Sequence, residues 1–118
     1  VVQRLVRALC SGCSGRRPST ALEQAWLRSA GIEETAEVPR PVGCPQCHGT
    51  GYAGRFVIAE VHLIDDAVRD MVTQGAALSA LKEHSLKIGV KPLAEQSARE
   101  VVAGRTTAEE VKRVVGWL

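Results

Sequence analysis

At 118 residues the chain has room for one compact domain, or for a small module packed on a helical one, and not for a complete motor enzyme. Its 45% hydrophobic and 24% charged residues argue against disorder, and no apolar run approaches the ~20 residues that a bilayer span needs. The formal charge of +2 and a scatter of Trp26, Tyr52, Phe56 and Trp117 leave no basic, aromatic surface of the kind that stacks nucleic-acid bases. The opening Val1-Val2-Gln3-Arg4 carries neither an initiator Met nor a signal-peptide pattern, so a piece of a longer protein with nothing directing export is expected.

Taken in chain order, Val2, Leu5, Val6 and Leu9 recur at helical spacing and predict a helix leading into Cys10. Ser14 to Pro18 reads as loop. Ser19 or Thr20 can cap a short helix carrying Leu22, Ala25, Trp26 and Leu27, with Gly31 as its stop. Glu33 to Pro41 is polar, holds two prolines and predicts an irregular segment. From Arg55 the pattern becomes that of a β-strand, with Val57, Ala59, Val61 and Leu63 on one face. Asp65 can cap a helix with Ile64, Val68, Met71 and Val72 in register, and Asp66 stands near its positive end. A second helical run follows through Leu78, Leu81 and Ile88 to Gly89. A third begins at Pro92, buries Ala94, Ala98, Val101 and Val102, and stops at Gly104. Thr106-Thr107-Ala108-Glu109 is a capping box in front of Val111, Val114 and Val115. The expected fold is therefore α+β and mostly helical. A four-cysteine module over residues 1–63 ends in a β-strand, and an all-helical subdomain occupies residues 64–118.

The four cysteines fall into two CxxC pairs, Cys10-Ser11-Gly12-Cys13 and Cys44-Pro45-Gln46-Cys47. Each CxxC turn presents two thiolates on one side of a tight knuckle, and two knuckles supply the tetrahedral sulfur set that Zn2+ prefers, at about 2.3 Å per bond. A glycine follows each pair by two residues, Gly15 and Gly49, where the backbone can turn its amides toward sulfur. Two disulfides, a redox-active pair and an iron–sulfur cluster compete for the same residues. With four sulfurs the coordination sphere is closed, so a zinc ion here would be structural, with no catalytic or cofactor-binding residue implied. Four thiolates and one divalent ion would also bring the total charge from +2 to about zero.

Other polar residues have plainer expected roles. His48 follows Cys47 directly but the sulfur tetrad is already complete, and His62 and His84 lack partners at metal-ligand spacing. Glu33-Glu34, Asp65-Asp66 and Glu109-Glu110 stand at helix starts or in a polar loop, where capping and solvation account for them. Arg16, Arg17 and Arg55 flank the cysteines, where balancing the anionic centre and binding a partner are both open roles.

The string Gln3-Arg4-Leu5-Val6-Arg7-Ala8-Leu9-Cys10, with Gly43-Cys44-Pro45-Gln46-Cys47-His48-Gly49-Thr50-Gly51-Tyr52-Ala53-Gly54-Arg55 further on, resembles the type II secretion and type IV pilus-assembly ATPases. Ile58 and Glu60 in the strand and the tail Gly104-Arg105-Thr106-Thr107-Ala108-Glu109-Glu110-Val111 extend the resemblance over essentially the whole chain. Val57 and Ala59 stand where that family usually has glycine and an aromatic, and Gln96-Ser97 where it usually has Asp-Gly. The resemblance implies a hexameric motor whose ATP and Mg2+ site lies in an upstream domain, since no GxxxxGK followed by Ser or Thr occurs here. It further implies a non-catalytic role for this chain. Its partners would be its own nucleotide domain, neighbouring subunits and an inner-membrane platform protein, at a cytoplasmic position peripheral to the bacterial inner membrane, with neither nucleic acid bound nor membrane inserted.

Two other readings share the cysteines. Cys44 to Gly51 also spells CxxCxGxG, the repeat of Hsp40 co-chaperones, but that family uses four repeats, and here the first decays after Gly15 into Arg16-Arg17. A zinc-ribbon nucleic-acid module is the other, and the charge balance and scarcity of aromatics count against it.

Overall fold

The computed structural model describes residues 1–33 and 36–116. Glu34, Thr35, Trp117 and Leu118, which the sequence places in the polar loop and at the chain's end, lie outside the described residues. In order the elements are β1 (Val2–Leu9), β2 (Gly15–Pro18), α1 (Ala21–Ser29), β3 (Glu37–Arg40), a 3-10 turn (Pro45–Cys47), β4 (Tyr52–Glu60), α2 (Asp66–Thr73), α3 (Leu78–Lys87), α4 (Leu93–Val102) and α5 (Ala108–Val114). The α+β class holds, with more strand than the sequence pattern suggests.

The segment expected to be a helix before Cys10 is a strand. β1 pairs antiparallel with β4, from Val2 opposite Glu60 to Leu9 opposite Tyr52. Apolar residues at positions 2, 5, 6 and 9 fit a helical stripe, but eight residues are too few to separate the two periods. The ladder decides, because a lone β4 would leave its backbone groups unpaired and β1 supplies them with partners. Between the pairs Arg7–Arg55 and Leu9–Tyr52 the register slips, so Ala53 and Gly54 together oppose Ala8. This is a β-bulge, and Gly54 carries the left-handed φ of +80° that such a bulge asks for.

The phase of β4 also differs from expectation. Ile58 is buried and Phe56 half-buried, while Val57, Val61 and Leu63 are exposed. Alternation identifies which residues share a face, but not which face turns inward. The strand begins at Tyr52 and ends at Glu60, short of Leu63. The stretches read as loop and irregular chain on either side of α1 form a second ribbon, with Arg16 opposite Pro39 and Arg17 opposite Val38.

The helix caps are largely those read from the sequence. Thr20 and Glu23 form a reciprocal box at α1, the Glu23 amide donating to Thr20 Oγ1 at 3.2 Å and the Thr20 amide to Glu23 Oε1 at 2.8 Å. Asp65 caps α2 through the Val68 amide at 2.8 Å. At α5 the cap moves by one residue and is not a reciprocal box, because the Glu110 carboxylate bonds Arg7 and Arg113. Thr107 is the cap, accepting from the Glu110 amide at 3.1 Å, while the Thr106 hydroxyl donates to the Arg7 carbonyl at 2.9 Å.

The core forms where α1 meets α4 and α5, from Trp26 and Leu27, Ala98 and Val101, and Ala108 and Val111. It joins residues on both sides of position 63. In contrast α2 buries only Val68, and α3 buries no residue, its Leu78 and Leu86 remaining exposed. Gln96, one of the residues singled out above, ties α4 to β4: its Nε2 donates to the Ala59 carbonyl at 2.6 Å and the Lys91 carbonyl at 2.8 Å. Its neighbour Ser97 is buried and donates to the Leu93 carbonyl at 2.6 Å.

α5 is latched to β1 by a buried carboxylate. Glu110 Oε2 accepts the Arg7 amide at 2.9 Å and Arg7 Nε at 2.8 Å, and Oε1 accepts Arg113 Nε at 2.7 Å. Burial pushes the Glu110 carboxyl up, but the guanidinium groups of Arg113 and Arg7 outweigh it and hold it at about 2, below its ordinary 4.5. The charged form is thus favoured by the fold, so the stabilisation is present above pH 4.5 and is lost as pH falls through about 2. Glu110→Gln is expected to cost roughly 1.5–3 kcal/mol at neutral pH. The same change should flatten the stability profile between pH 4.5 and 2, measured by urea unfolding at a series of pH values.

The backbone after the second CxxC is set by glycine. Gly51 has φ +84°, and a Cβ there would lie 2.4 Å from Pro41 Cβ. Gly49 has φ +77° with open space around it. Gly49→Ala should therefore cost only the left-handed strain of about 1–2 kcal/mol, whereas Gly51→Ala adds an overpacking cost of about 1–3 kcal/mol. Thermal melts of the two variants would reveal the order.

Candidate metal centre

β1 delivers Cys10 to the centre and β4 leaves from it. The Cys10 amide donates to the Gly51 carbonyl at 2.9 Å, fixing the two strand ends together where the first cysteine knuckle begins and just after the second ends. Cys10-Ser11-Gly12-Cys13 closes as a tight turn. In the second knuckle Cys44 is extended, Pro45 to Cys47 make one 3-10 turn, and His48 takes a left-handed φ of 56°. Gly43 has φ +100°, and a Cβ there would meet the Gly49 carbonyl oxygen at 2.7 Å, so the chain enters and leaves this knuckle in backbone contact.

The four sulfurs converge. Cys10 and Cys44 Sγ are 3.8 Å apart, Cys13 and Cys47 Sγ 3.7 Å, and Cys44 and Cys47 Sγ 3.7 Å. All four lie within 4.8 Å of one another. A disulfide needs about 2.05 Å between sulfurs, so these are free thiols. A tetrahedral ion with metal–sulfur bonds of about 2.3 Å sets its ligands about 3.8 Å apart, which the cage matches. Cys10 and Cys47 are buried and Cys13 and Cys44 half-buried, so the site can hold a metal ion at the edge of the module.

The amides aimed at sulfur come from unexpected residues. Cys47 Sγ accepts the Cys44 and Gly51 amides, each at 3.2 Å. Gly49, expected in that role, donates instead to the Cys44 carbonyl at 2.9 Å, and Gly15 opens β2. These contacts set the thiols apart from one another. Burial raises the Cys47 thiol, but the Cys44 and Gly51 amides overcome it and bring it to about 6. Desolvation pushes the Cys13 thiol up to about 12 against the Gly43 amide, with the neighbouring sulfurs adding to the rise. The two amides thus favour the charged form of the Cys47 sulfur.

The remaining polar residues are placed as follows. His48 is exposed at the end of the 3-10 turn and does not join the sulfur cluster. His62, read as an ordinary edge residue, bonds through Nε2 to Glu60 and through Nδ1 to Ser85 Oγ at 3.2 Å. His84 Nε2 lies 3.4 Å from Asp65 Oδ2. Arg17 turns away from the cysteines to pair with Glu23 and Glu109, joining the β2–β3 ribbon to α1 and α5. The sequence offered no sign of the Arg7–Glu110–Arg113 cluster, because Arg7 lies 103 positions from Glu110 and only Arg113 is its near neighbour.

The family described as Type II/IV secretion system protein matches residues 1–113. The chain is 37% identical over 114 residues to type II secretion system protein HxcR of Pseudomonas aeruginosa, covering 97% of the chain and 20% of that protein. It is 38% identical over 118 residues to the type IV pilus assembly ATPase TfpB of Acinetobacter baylyi, covering 98% of the chain and 20% of the relative. With type II secretion system protein E of Aeromonas hydrophila the identity is 38% over 114 residues, again 97% of the chain and 22% of the relative. The chain spans about a fifth of the length of these relatives. Matched over nearly its whole length, this chain belongs to the type II/IV secretion system protein family.

Proposed function

We propose that the chain is the C-terminal, non-catalytic part of a hexameric secretion or pilus-assembly ATPase, and that its job is mechanical. Residues 1–63 are a subdomain organised by one structural Zn2+ held by Cys10, Cys13, Cys44 and Cys47, and residues 64–118 are the helical subdomain that follows. Together they brace the upstream nucleotide domain, where ATP and Mg2+ are bound. They pass its motion to neighbouring subunits and to an inner-membrane platform protein from the cytoplasmic side. Zinc supplies no reaction step here; four sulfurs satisfy it and no position remains for a substrate. The family match takes precedence over the Hsp40-like and zinc-ribbon readings, which rest on the cysteine spacing alone.

The observation that carries this reading is the sulfur cage at the joint of β1 and β4, in a chain matching a fifth of proteins named as a type II secretion system protein and a type IV pilus assembly ATPase. The shared core of Trp26, Leu27, Ala98, Val101, Ala108 and Val111 supports a bracing role, because force applied to either side of position 63 meets close-packed side chains. A membrane position through partners is consistent with there being no helix long and apolar enough to cross a bilayer among the described residues.

Two measurements test the proposal. Metal analysis of the purified chain should return about one zinc ion per chain, and Cys44→Ser with Cys47→Ser should lose the ion and the cooperative melt together. A chain free of metal that melts identically would refute the structural zinc. The 118-residue chain should show no ATP turnover above background, whereas the full-length protein carrying the same double substitution should lose about tenfold or more of its ATPase rate. Robust turnover by the chain alone would refute the non-catalytic assignment.

A further inference from the structure

A cavity of about 380 Å3 opens between the far ends of β1 and β4 and the helices α3 and α4. Its wall is largely apolar, contributed by Leu86, Val90 and Leu93, and its rim carries Arg4 and Lys82, both exposed. Among the described residues neither cation has a carboxylate partner; the Arg4 guanidinium donates only to the adjacent Gln3 carbonyl at 2.8 Å.

The one anionic group in the wall is already committed. Glu60 Oε2 accepts the Leu93 amide at 2.9 Å, and Oε1 faces His62 Nε2. With the Nε2 proton directed at Glu60, Nδ1 is the acceptor for the Ser85 hydroxyl at 3.2 Å, a tautomer assigned from the network. The protons of His62 and Ser85 are therefore used internally. Ser85 lies in the final turns of α3, away from the free amides of a helix start, so no oxyanion donors converge on it and an acyl-transfer role does not follow. What remains facing the cavity is two unpaired cations above an apolar floor.

The geometry points to a binding site for a carboxylate carried on an apolar tail, its head between Arg4 and Lys82 and its tail against Leu86, Val90 and Leu93. The planar guanidinium of Arg4 matches a carboxylate with two parallel bonds. A dianionic phosphate fits less well, since its second charge would face the Glu60 carboxylate across a low-dielectric cavity. Apolar walls with a few converging polar groups are the usual form of a small-molecule site of this size. The same chemistry is offered by a free medium-chain acid and by a peptide ending in an apolar residue. This inference does not depend on the motor assignment.

The test is a titration of the 118-residue chain, followed by amide chemical shifts, with octanoate, octanamide, and acetyl-Ala-Leu bearing either a free or an amidated terminus. Octanoate should move the Leu86, Val90 and Leu93 amides and bind about tenfold more tightly than octanamide, the margin of a charge-assisted pair. Arg4→Gln with Lys82→Gln should remove that preference without changing the melting temperature, since both cations are exposed. Ala94→Phe, which fills the cavity, should block both ligands. Tighter binding of the free-acid dipeptide than of octanoate would assign the site to a peptide terminus, and the reverse order to a free acid. Equal binding of octanoate and octanamide, retention of the preference in the double variant, or no shifts at millimolar octanoate would overturn the proposal.

Discussion

The convergence of four sulfurs at the joint of β1 and β4 is the constraint on which the rest of the structure depends. Cys10 and Cys44 are separated by thirty-three residues, and closing so long a loop carries an entropic cost that neither the short β2–β3 ribbon nor α1 offsets by itself. Bringing Cys10 and Cys13 to Cys44 and Cys47 closes it at one point. The Cys10–Gly51 backbone bond then starts the long ladder from that same point, so cage and sheet set one another's register. Close thiols attract one another only weakly, so the proposed ion, by binding all four sulfurs, would convert the closure into folding free energy.

Away from the cage, charge performs work that a larger core would otherwise do. The apolar cluster is small, and several large side chains, among them Leu5, Val57, Leu63 and Leu78, remain exposed. Two acidic groups with little exposure compensate. Glu110 fastens α5 to β1 through Arg7, and Glu23 fastens α1 to the β2–β3 ribbon through Arg17, which also reaches Glu109 on α5. Both carboxyls are held below their ordinary range by these guanidinium partners. Because Glu110 is wholly buried and also receives a backbone amide, removing either arginine would leave a charge without water or a full set of donors, a larger penalty than the loss of a surface pair.

The sequence made the cage legible because CxxC spacing maps directly onto ligand geometry. It made the caps of α1 and α2 legible because a Thr or Asp before an apolar run has one favourable task. β1 was not legible. Val2, Leu5, Val6 and Leu9 satisfy a helical stripe as well as a strand, and the partner that decides the matter is some fifty residues away. β4 was recognised but with the wrong face inward, since Val57, Ala59 and Val61 alternate as well as Phe56, Ile58 and Glu60 do. Only the helices that cover the second set distinguish them. The β2–β3 ribbon had no apolar period to announce it, and Pro18 and Pro39 argued against strands; both are tolerated because a two-stranded ribbon is all edge. The shift of the α5 cap from Thr106 to Thr107 follows from Glu110 being drawn to Arg7, a contact invisible to local spacing.

The distribution of packing implies where the chain can flex. α4 and α5 share a core with α1 and are bonded to both long strands, through Gln96 to Ala59 and through Thr106 and Glu110 to Arg7. Among the described residues the α2–α3 hairpin has no such attachment: it buries Val68 alone, and its polar ties run through His62–Ser85 and Asp65–His84. Local opening is least costly where few apolar contacts are lost, so motion should concentrate in residues 61–92 while the cage, the ladder and the α1–α4–α5 core move as one. The mechanical role proposed above would need both properties, a stiff body to carry displacement and a compliant flank to accommodate neighbours. In this chain the boundary between them follows the buried side chains and not the order of the sequence.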